Sequence, residues 1–284
     1  MLTLERIASY RAQTYRTQPE LRVTTREGAL EHVNARGFVM FWPIKGIEMP
    51  SLWAAAAGER SVADAHDDPG HVTWGWKDAL LGARQWYYAK VLRRKATMIS
   101  LDVIPAFYAL SENFGSPEED YLYQYRDGTM TAEAKAIYEA LLSEGPLHTI
   151  ALRRATAMTD TASNYRFNRG LEELQSDLKI MPIGVAEAGA WNYAFIYECV
   201  HRHHPEILDR ARDFTMGEAQ RRLLTLYMRS VGAVVGTDVA KVFWWPKREV
   251  EKTIDSLIQS GDVVGALEIE AQKGEWIALP ELIS

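Results

Sequence analysis

Between residues 144 and 197 the chain orders its apolar, basic and turn-forming residues in a way that few folds accept. Gly145 and Pro146 break a preceding helix. Residues 150–158 then have helical spacing and carry Arg153 and Arg154. Thr159–Ala162 are turn formers, and Ser163 is a suitable N-cap for a longer helix. In that helix Phe167, Leu171, Leu174 and Leu178 recur at i, i+4, i+7 and i+11 and form one apolar stripe. Asn164, Arg166, Asn168 and Arg169 cluster in its first turns, while Arg169, Glu173 and Gln175 are expected to face away from the stripe. Two short strands are expected next, over 180–185 and 190–197, joined by a small-residue turn at 187–189. Helix, turn, helix and two-stranded wing make a winged helix-turn-helix, whose second helix fits the major groove of DNA.

A second copy of the pattern follows about 85–90 residues later, a spacing suited to tandem small domains rather than a solenoid. Residues 217–231 and 236–244 read as helices, and a third helix over 246–259 buries Val250, Ile254, Leu257 and Ile258. Gly261 ends it, and 263–269 with 276–279 form a wing. That wing is acidic, and the third helix mixes Lys247, Arg248 and Lys252 with Glu249, Glu251 and Asp255, so this copy is not expected to touch phosphates.

The N-terminal half is less regular. Residues 4–41 read as mostly helical, with Thr25 as an N-cap and Gly37 as a stop, and 38–42 as a short apolar run. Residues 49–57 suit a helix stopped by Gly58, 66–71 a loop, and 74–90 one long aromatic-rich helix with Arg93, Arg94 and Lys95 at its C-terminal end, where cations are favoured. Leu101–Leu110 is apolar, and 114–127 reads as a polar linker. The expected fold is mainly α with small β wings (α+β): tandem winged helix-turn-helix domains over 128–205 and 206–284, preceded at 1–127 by a helical region with a degenerate winged-helix module.

The formal net charge is −6, whereas a protein that coats nucleic acid is usually basic. The charge is polarised, however. Residues 81–101 hold Arg84, Lys90, Arg93, Arg94 and Lys95 with no acid, and the surplus acid lies at 67–68, 118–120 and 268–275. The single cysteine, Cys199, forms no intrachain disulfide and suits a reducing compartment. No apolar run has the length of a membrane span, and residues 1–10 do not read as a signal peptide. A cytoplasmic protein with no membrane contact is expected.

Candidate chemistry is sparse. Arg153, Arg154, Asn164, Arg166, Asn168 and Arg169, supported by Lys90, Arg93, Arg94 and Lys95, are the candidate DNA contacts, against a reading of some as ordinary solvated helix faces. Trp42, Trp53, Trp74 and Trp76 suit either a pocket for a flipped base or core. Trp86, Tyr87 and Tyr88 suit core packing better than stacking on bases, since neighbours on a helix point apart. Asp67, Asp68 and His71 offer two carboxylates and an imidazole on one turn. Cys199, His201, His203 and His204 offer zinc ligands, with Cys199 and His203 one helical turn apart, but no second cluster completes the site, so neither metal nor cofactor is expected. No phosphate-binding glycine loop, nucleophile elbow or zincin helix occurs.

The segments GPLHTIALRRATAM, RFNRGLEELQSDLKIMPIGVAEAGAWNYAFIYECV and YMRSVGAVVGTDVAKVFWWPKREVEKTIDSLIQSGDV resemble the tandem winged helices of the AlkZ/YcaQ group of bacterial DNA glycosylases, and in particular its AlkZ-related subset. The likeness runs from about residue 25 to the end and rests on the order of several segments. It implies DNA repair, three winged helices around a duplex, and excision of alkylated or crosslinked bases. The group's catalytic Gln-x-Gln or Gln-x-Asp motif corresponds here to Gly37–Trp42, where Met40 and Trp42 replace the polar pair. Neither side chain activates water. The pocket residues implied are Met40, Trp42, Trp74 and Trp76, with no catalytic residue assigned. The further C-terminal domain of the full-length enzymes has no counterpart. Double-stranded or damaged DNA is the expected partner; a protein partner or homodimer, and an active glycosylase using Asp67, Asp68 or His71, are the alternatives.

Overall fold

The computed structural model describes residues 2–283 apart from His66, Phe114, Ala190, Trp191 and Ala271. The same element order occurs three times. The first unit holds α2 (Arg26–Arg36), β1 (Phe38–Met40), α3 (Leu52–Ala57), α4 (Val72–Gly82), β2 (Tyr87–Ala89) and β3 (Thr97–Ile99), after an opening helix α1 (Leu4–Thr14). Helices α5 (Ile104–Tyr108) and α6 (Pro117–Arg126) lead to the second, made of α7 (Ala132–Glu144), β4 (Leu147–His148), α8 (Thr149–Ala155), α9 (Asn164–Ser176), β5 (Ile180–Ala186) and β6 (Ala194–Cys199). Helices α10 (Val200–His203) and α11 (Pro205–Ala211) precede the third: α12 (Met216–Val231), β7 (Ala233–Val235), α13 (Gly236–Phe243), α14 (Lys247–Gln259), β8 (Val264–Leu267) and β9 (Trp276–Ala278). In every unit the last strand lies in the middle of an antiparallel three-stranded sheet. The fold is mainly helical with small β wings.

The N-terminal unit is therefore complete rather than degenerate. The helix expected over 74–90 ends at Gly82, and Arg84 turns the chain with a left-handed φ of 54°. Tyr87–Ala89 then pairs with Thr97–Ile99 as a hairpin, so Arg93–Lys95 lie in a wing turn and not at a helix C-terminus. Trp86, Tyr87 and Tyr88 are buried, as core packing required. The supposed linker contains α6, which packs on α7; Phe114 lies outside the described residues. The second wing strand, expected over 190–197, is described from Ala194, since Ala190 and Trp191 lie outside the described residues.

Helix ends follow from local chemistry. Thr25, Ser51, Thr131 and Thr215 each accept a bond from a backbone N–H in the first turn, and Thr215 with Glu218 completes a capping box. Gly232 ends α12 at a φ of 74°, and a Cβ there would stand 2.7 Å from both Leu282 and Tyr10. Half of the crowding comes from the C-terminal turn that carries Leu282, and half from Tyr10 of α1, which docks on the third unit. Arg11 donates to the carbonyls of Val231 and Ala233 at 3.0 and 2.8 Å, and it pairs with Glu48 of the first unit.

One core serves the first and third units together. Phe38 of β1 meets Phe107 of α5 and Phe243 of α13 edge-on at 5.2 and 5.9 Å, and Phe243 meets Tyr227 of α12. The second unit has its own core of Ile137, Tyr138, Leu141, Leu152, Phe167, Leu171 and Leu174. It joins the first by reciprocal packing: α4 lies on β5, α9 lies on the Leu92–Arg94 turn of the first wing, and β2 runs beside β5. That turn also reaches α13.

Candidate nucleic-acid interface

Helix α9 carries an exposed face of arginines and asparagines beside a helix-turn-helix bend. Asp160 starts it by accepting the Ser163 N–H at 2.9 Å on the preceding turn; Ser163 occupies the N-cap position but makes no cap bond with its side chain. Phe167, Leu171, Leu174 and Leu178 are all buried, as the stripe demands. Gly170 lets α9 approach α7 closely, because a Cβ there would lie 3.1 Å from the Ala134 nitrogen and 3.2 Å from the Glu133 carbonyl carbon. On the outer face Asn164, Tyr165, Arg166, Asn168 and Arg169 are exposed, Tyr165 by 72%.

The candidate cations do not share one fate. Arg169 and Arg154 are exposed. Arg166 is exposed and pairs with Glu133 at 3.2 Å. Arg153 is half-buried, its guanidinium 4.2 Å above the Phe167 ring and donating to the Met158 carbonyl at 3.0 Å, so it braces the bend between α8 and α9. Lys90 is paired with Glu172 at 2.6 Å, and Arg93 lies 4.5 Å above the Trp244 ring. Arg94 is half-buried and Lys95 exposed. The first wing thus uses Lys90 and Arg93 to hold its neighbours.

Two polar residues of α9 face inward, contrary to the expected orientation. Glu173 accepts the Thr131 N–H at 2.8 Å and the Thr131 hydroxyl at 2.9 Å, closing the start of α7. Gln175 donates to Leu171 and accepts from the Lys90 N–H. Both are buried because hydrogen bonds replace the water they lose.

The second feature is aromatic. Trp42 and Trp74 come together, 5.9 Å between ring centroids, with Phe41 5.8 Å and Tyr193 6.4 Å from Trp74. Trp53, fully buried, lies 5.1 Å behind Trp42. Met40 is sealed inside the first sheet, and Trp76, two residues along α4 from Trp74, is buried in the core; neither opens to a ligand there. Beneath these rings sits Lys77, fully buried. Its ammonium donates to the Tyr193 hydroxyl at 2.7 Å and pairs with Asp78 at 2.8 Å, while the Tyr193 hydroxyl donates to Asp78 at 3.0 Å. Burial pushes the Lys77 ammonium below the usual lysine range, and Asp78 pushes it back. Sequence reasoning passed over Lys77, Asp78 and Tyr193. The available signal was an isolated charged pair inside the apolar stretch VTWGWKDALLG.

Most of the other candidates are occupied. Arg60 grips the Asp68 carboxylate at 2.9 and 2.5 Å, holding it below the ordinary carboxylate range, and Gly70 donates to it at 2.7 Å. The His71 Nε2 meets the Ala63 carbonyl at 3.0 Å, and its ring packs on Trp53. Asp67 is exposed, and His66 lies outside the described residues. The Cys199 thiol is buried and pushed up to about 12, and the His204 Nδ1 is bound to Glu206 at 2.7 Å. Among the described residues no three ligating side chains converge on a metal position, and no helix is long and apolar enough to cross a membrane.

The family model described as AlkZ related matches residues 23–243. No curated protein matches the chain. Among solved structures the chain is similar to the Streptomyces sahachiroi DNA glycosylase AlkZ, with 12% identity and a TM-score of 0.58, over 98% of this chain and 70% of that one. At that identity the likeness is one of fold.

Proposed function

The chain belongs to the AlkZ-related family, and on that premise we propose that it binds duplex DNA through the exposed face of α9. The observation that carries this reading is the cluster of Arg166, Asn168 and Arg169 on the first turns of the third helix of a winged helix-turn-helix unit. Arg154 and Asn164 extend that face, and Lys95 of the first wing adds a phosphate contact. Lys90 and Arg93 hold the neighbouring units in register and act only indirectly. Phosphate contacts fix position here, and Asn168 is the side chain suited to a base edge.

Base excision by the family's water-activating pair is not part of this reading. Met40 is buried with its sulfur against the Thr97 hydroxyl, and Trp42 is an aromatic wall. The protein recognises duplex or damaged DNA without hydrolysing the glycosidic bond. Fluorescence anisotropy with a plain duplex across a salt series tests it. A slope worth about three or four released counterions is expected. Reversing both Arg166 and Arg169 to Glu is expected to lower affinity at least tenfold at low salt, and unchanged affinity would sink the proposal.

A second reading is favoured by one observation. The α13–α14 face of the third unit opens a groove of about 1010 Å³ with Trp244 53% exposed and Ile258 at its edge. Such apolar surface suits a protein contact better than phosphate. If the wild type binds no duplex even at low salt, this groove becomes the leading interface.

A further inference from the structure

Lys77 fills its own aromatic cage. Its Nζ lies 4.4 Å from the Phe195 ring centroid, 4.9 Å from Trp74, and 5.4 Å from both Tyr88 and Tyr193. Aromatic faces arranged in this way attract cations, because each ring is electron-rich above its plane. The position a ligand's cation would take is already held by a covalently attached one. The cage is nevertheless not closed on its outer side. Trp74 is 41% and Tyr193 37% exposed. The Tyr193 hydroxyl is turned inward to Asp78 and Lys77, so the ring offers solvent its apolar part. Trp42 and Phe41 hold Trp74 from the side.

These two rings belong to the third helix of the first unit and the wing of the second, which are the elements a winged helix turns toward nucleic acid. We infer that Lys77 sets the charge preference of the Trp74–Tyr193 surface, which takes a neutral unpaired base and rejects a cationic one; this rests on the DNA-binding reading above. A neutral base gains stacking on either ring. A positively charged base would add a cation–π attraction to that contact, but the same two rings already face a buried ammonium 4.9 and 5.4 Å from their centroids, and the like-charge repulsion opposes it. Asp78 offsets this only in part, since its side chain is 24% exposed to solvent while that of Lys77 is 1% exposed.

The test uses adenosine and 1-methyladenosine, planar ligands of nearly equal size, the second of which is a cation at neutral pH. Each is titrated against the whole protein, and quenching of tryptophan emission that is lost in Trp74→Ala is taken as the signal. Adenosine is expected to bind about tenfold more tightly than 1-methyladenosine, the order of fold-change that one partly offset like-charge contact produces. The double variant Lys77→Met/Asp78→Asn, which empties the cage of both charges, is expected to bring the two ligands within about twofold of each other. Lys77→Met alone leaves Asp78 unpaired and should favour the cation. Equal or tighter binding of 1-methyladenosine by the wild type overturns the inference, as does quenching by neither ligand or an unchanged ratio in the double variant. Duplexes with one unpaired adenine or 1-methyladenine repeat the comparison on DNA. If no duplex binds at low salt while nucleoside selectivity persists, the DNA-binding proposal fails and the charge preference stands.

Discussion

Helices α4 and α9 hold the same place in two copies of one topology, yet they sort their chemistry in opposite directions. Helix α4 hides a cation, Lys77, and shows an aromatic ring, Trp74. Helix α9 hides a carboxylate, Glu173, and shows cations, Arg166 and Arg169. Each buried charge is matched by a partner from the element it must hold: Tyr193 of the second wing for Lys77, Thr131 at the start of α7 for Glu173. What a third helix presents outward is therefore not set by topology. It depends on which polar group is spent on internal packing.

Several measurements can break or sharpen this contrast. The largest effect is expected within the aromatic cluster. Trp53→Ala should cost about 3–5 kcal/mol in urea unfolding because it empties a fully buried site, whereas Trp74→Ala should cost about 1 kcal/mol or less. Equal costs would mean that Trp74 is core and not surface. Next, Glu173→Ala should cost about 2 kcal/mol by leaving the Thr131 N–H without its acceptor, with duplex affinity nearly unchanged. A large loss of affinity without loss of stability would place Glu173 on the outer face after all. Smaller again, Arg169→Ala should weaken duplex binding about threefold and lower the salt slope by about one. A slope that does not move would remove Arg169 from the interface.

The mildest test is pH. The first unit buries a base: desolvation lowers His32 to about 3, with Arg16 and Arg36 adding to the effect. Its folded value is below the unfolded one of about 6.5, so its contribution to stability is full above that pH and is lost as pH falls toward 3. The second unit holds a half-buried acid: desolvation raises Asp177 to about 6, with Glu173 adding and Lys179 and Arg94 opposing. Its folded value is above the unfolded one of about 3.9, so its contribution is full below pH 4 and is lost as pH rises through 6. His32→Leu should therefore gain on the wild type in melting temperature as pH drops below 6.5. Asp177→Asn should gain as pH rises from 4 to 7. Slopes of the same sign would dissolve the comparison.

The parts of the fold legible in the sequence are those with long periods. The stripe of α9, the helices of the third unit and the glycine stops at 37, 58 and 145 all follow from spacing and capping. The first sheet is not legible for a physical reason. Its three-residue strands are buried on both faces, so no polar–apolar alternation marks them, and Tyr87–Ala89 merges with the apolar run of α4. Arg84, Arg93 and Arg94 adopt left-handed backbone without a glycine or asparagine to announce the turn. The site divides in the same way. Spacing put Arg166, Asn168 and Arg169 outward, but the burial of Glu173, Gln175 and Lys77 depends on partners 42, 85 and 116 residues away, which no local pattern carries.

The separation of Lys77 from Tyr193 also orders events during synthesis. A ribosome adds about 5–20 residues per second, so the 116 residues between them leave the Lys77 amine in water for roughly ten seconds after it emerges. Until the second wing is made, α4 shows the nascent-chain machinery a solvated lysine flanked by tryptophans. Closure of the cage over that amine waits on the second wing, which supplies Tyr193 and Phe195.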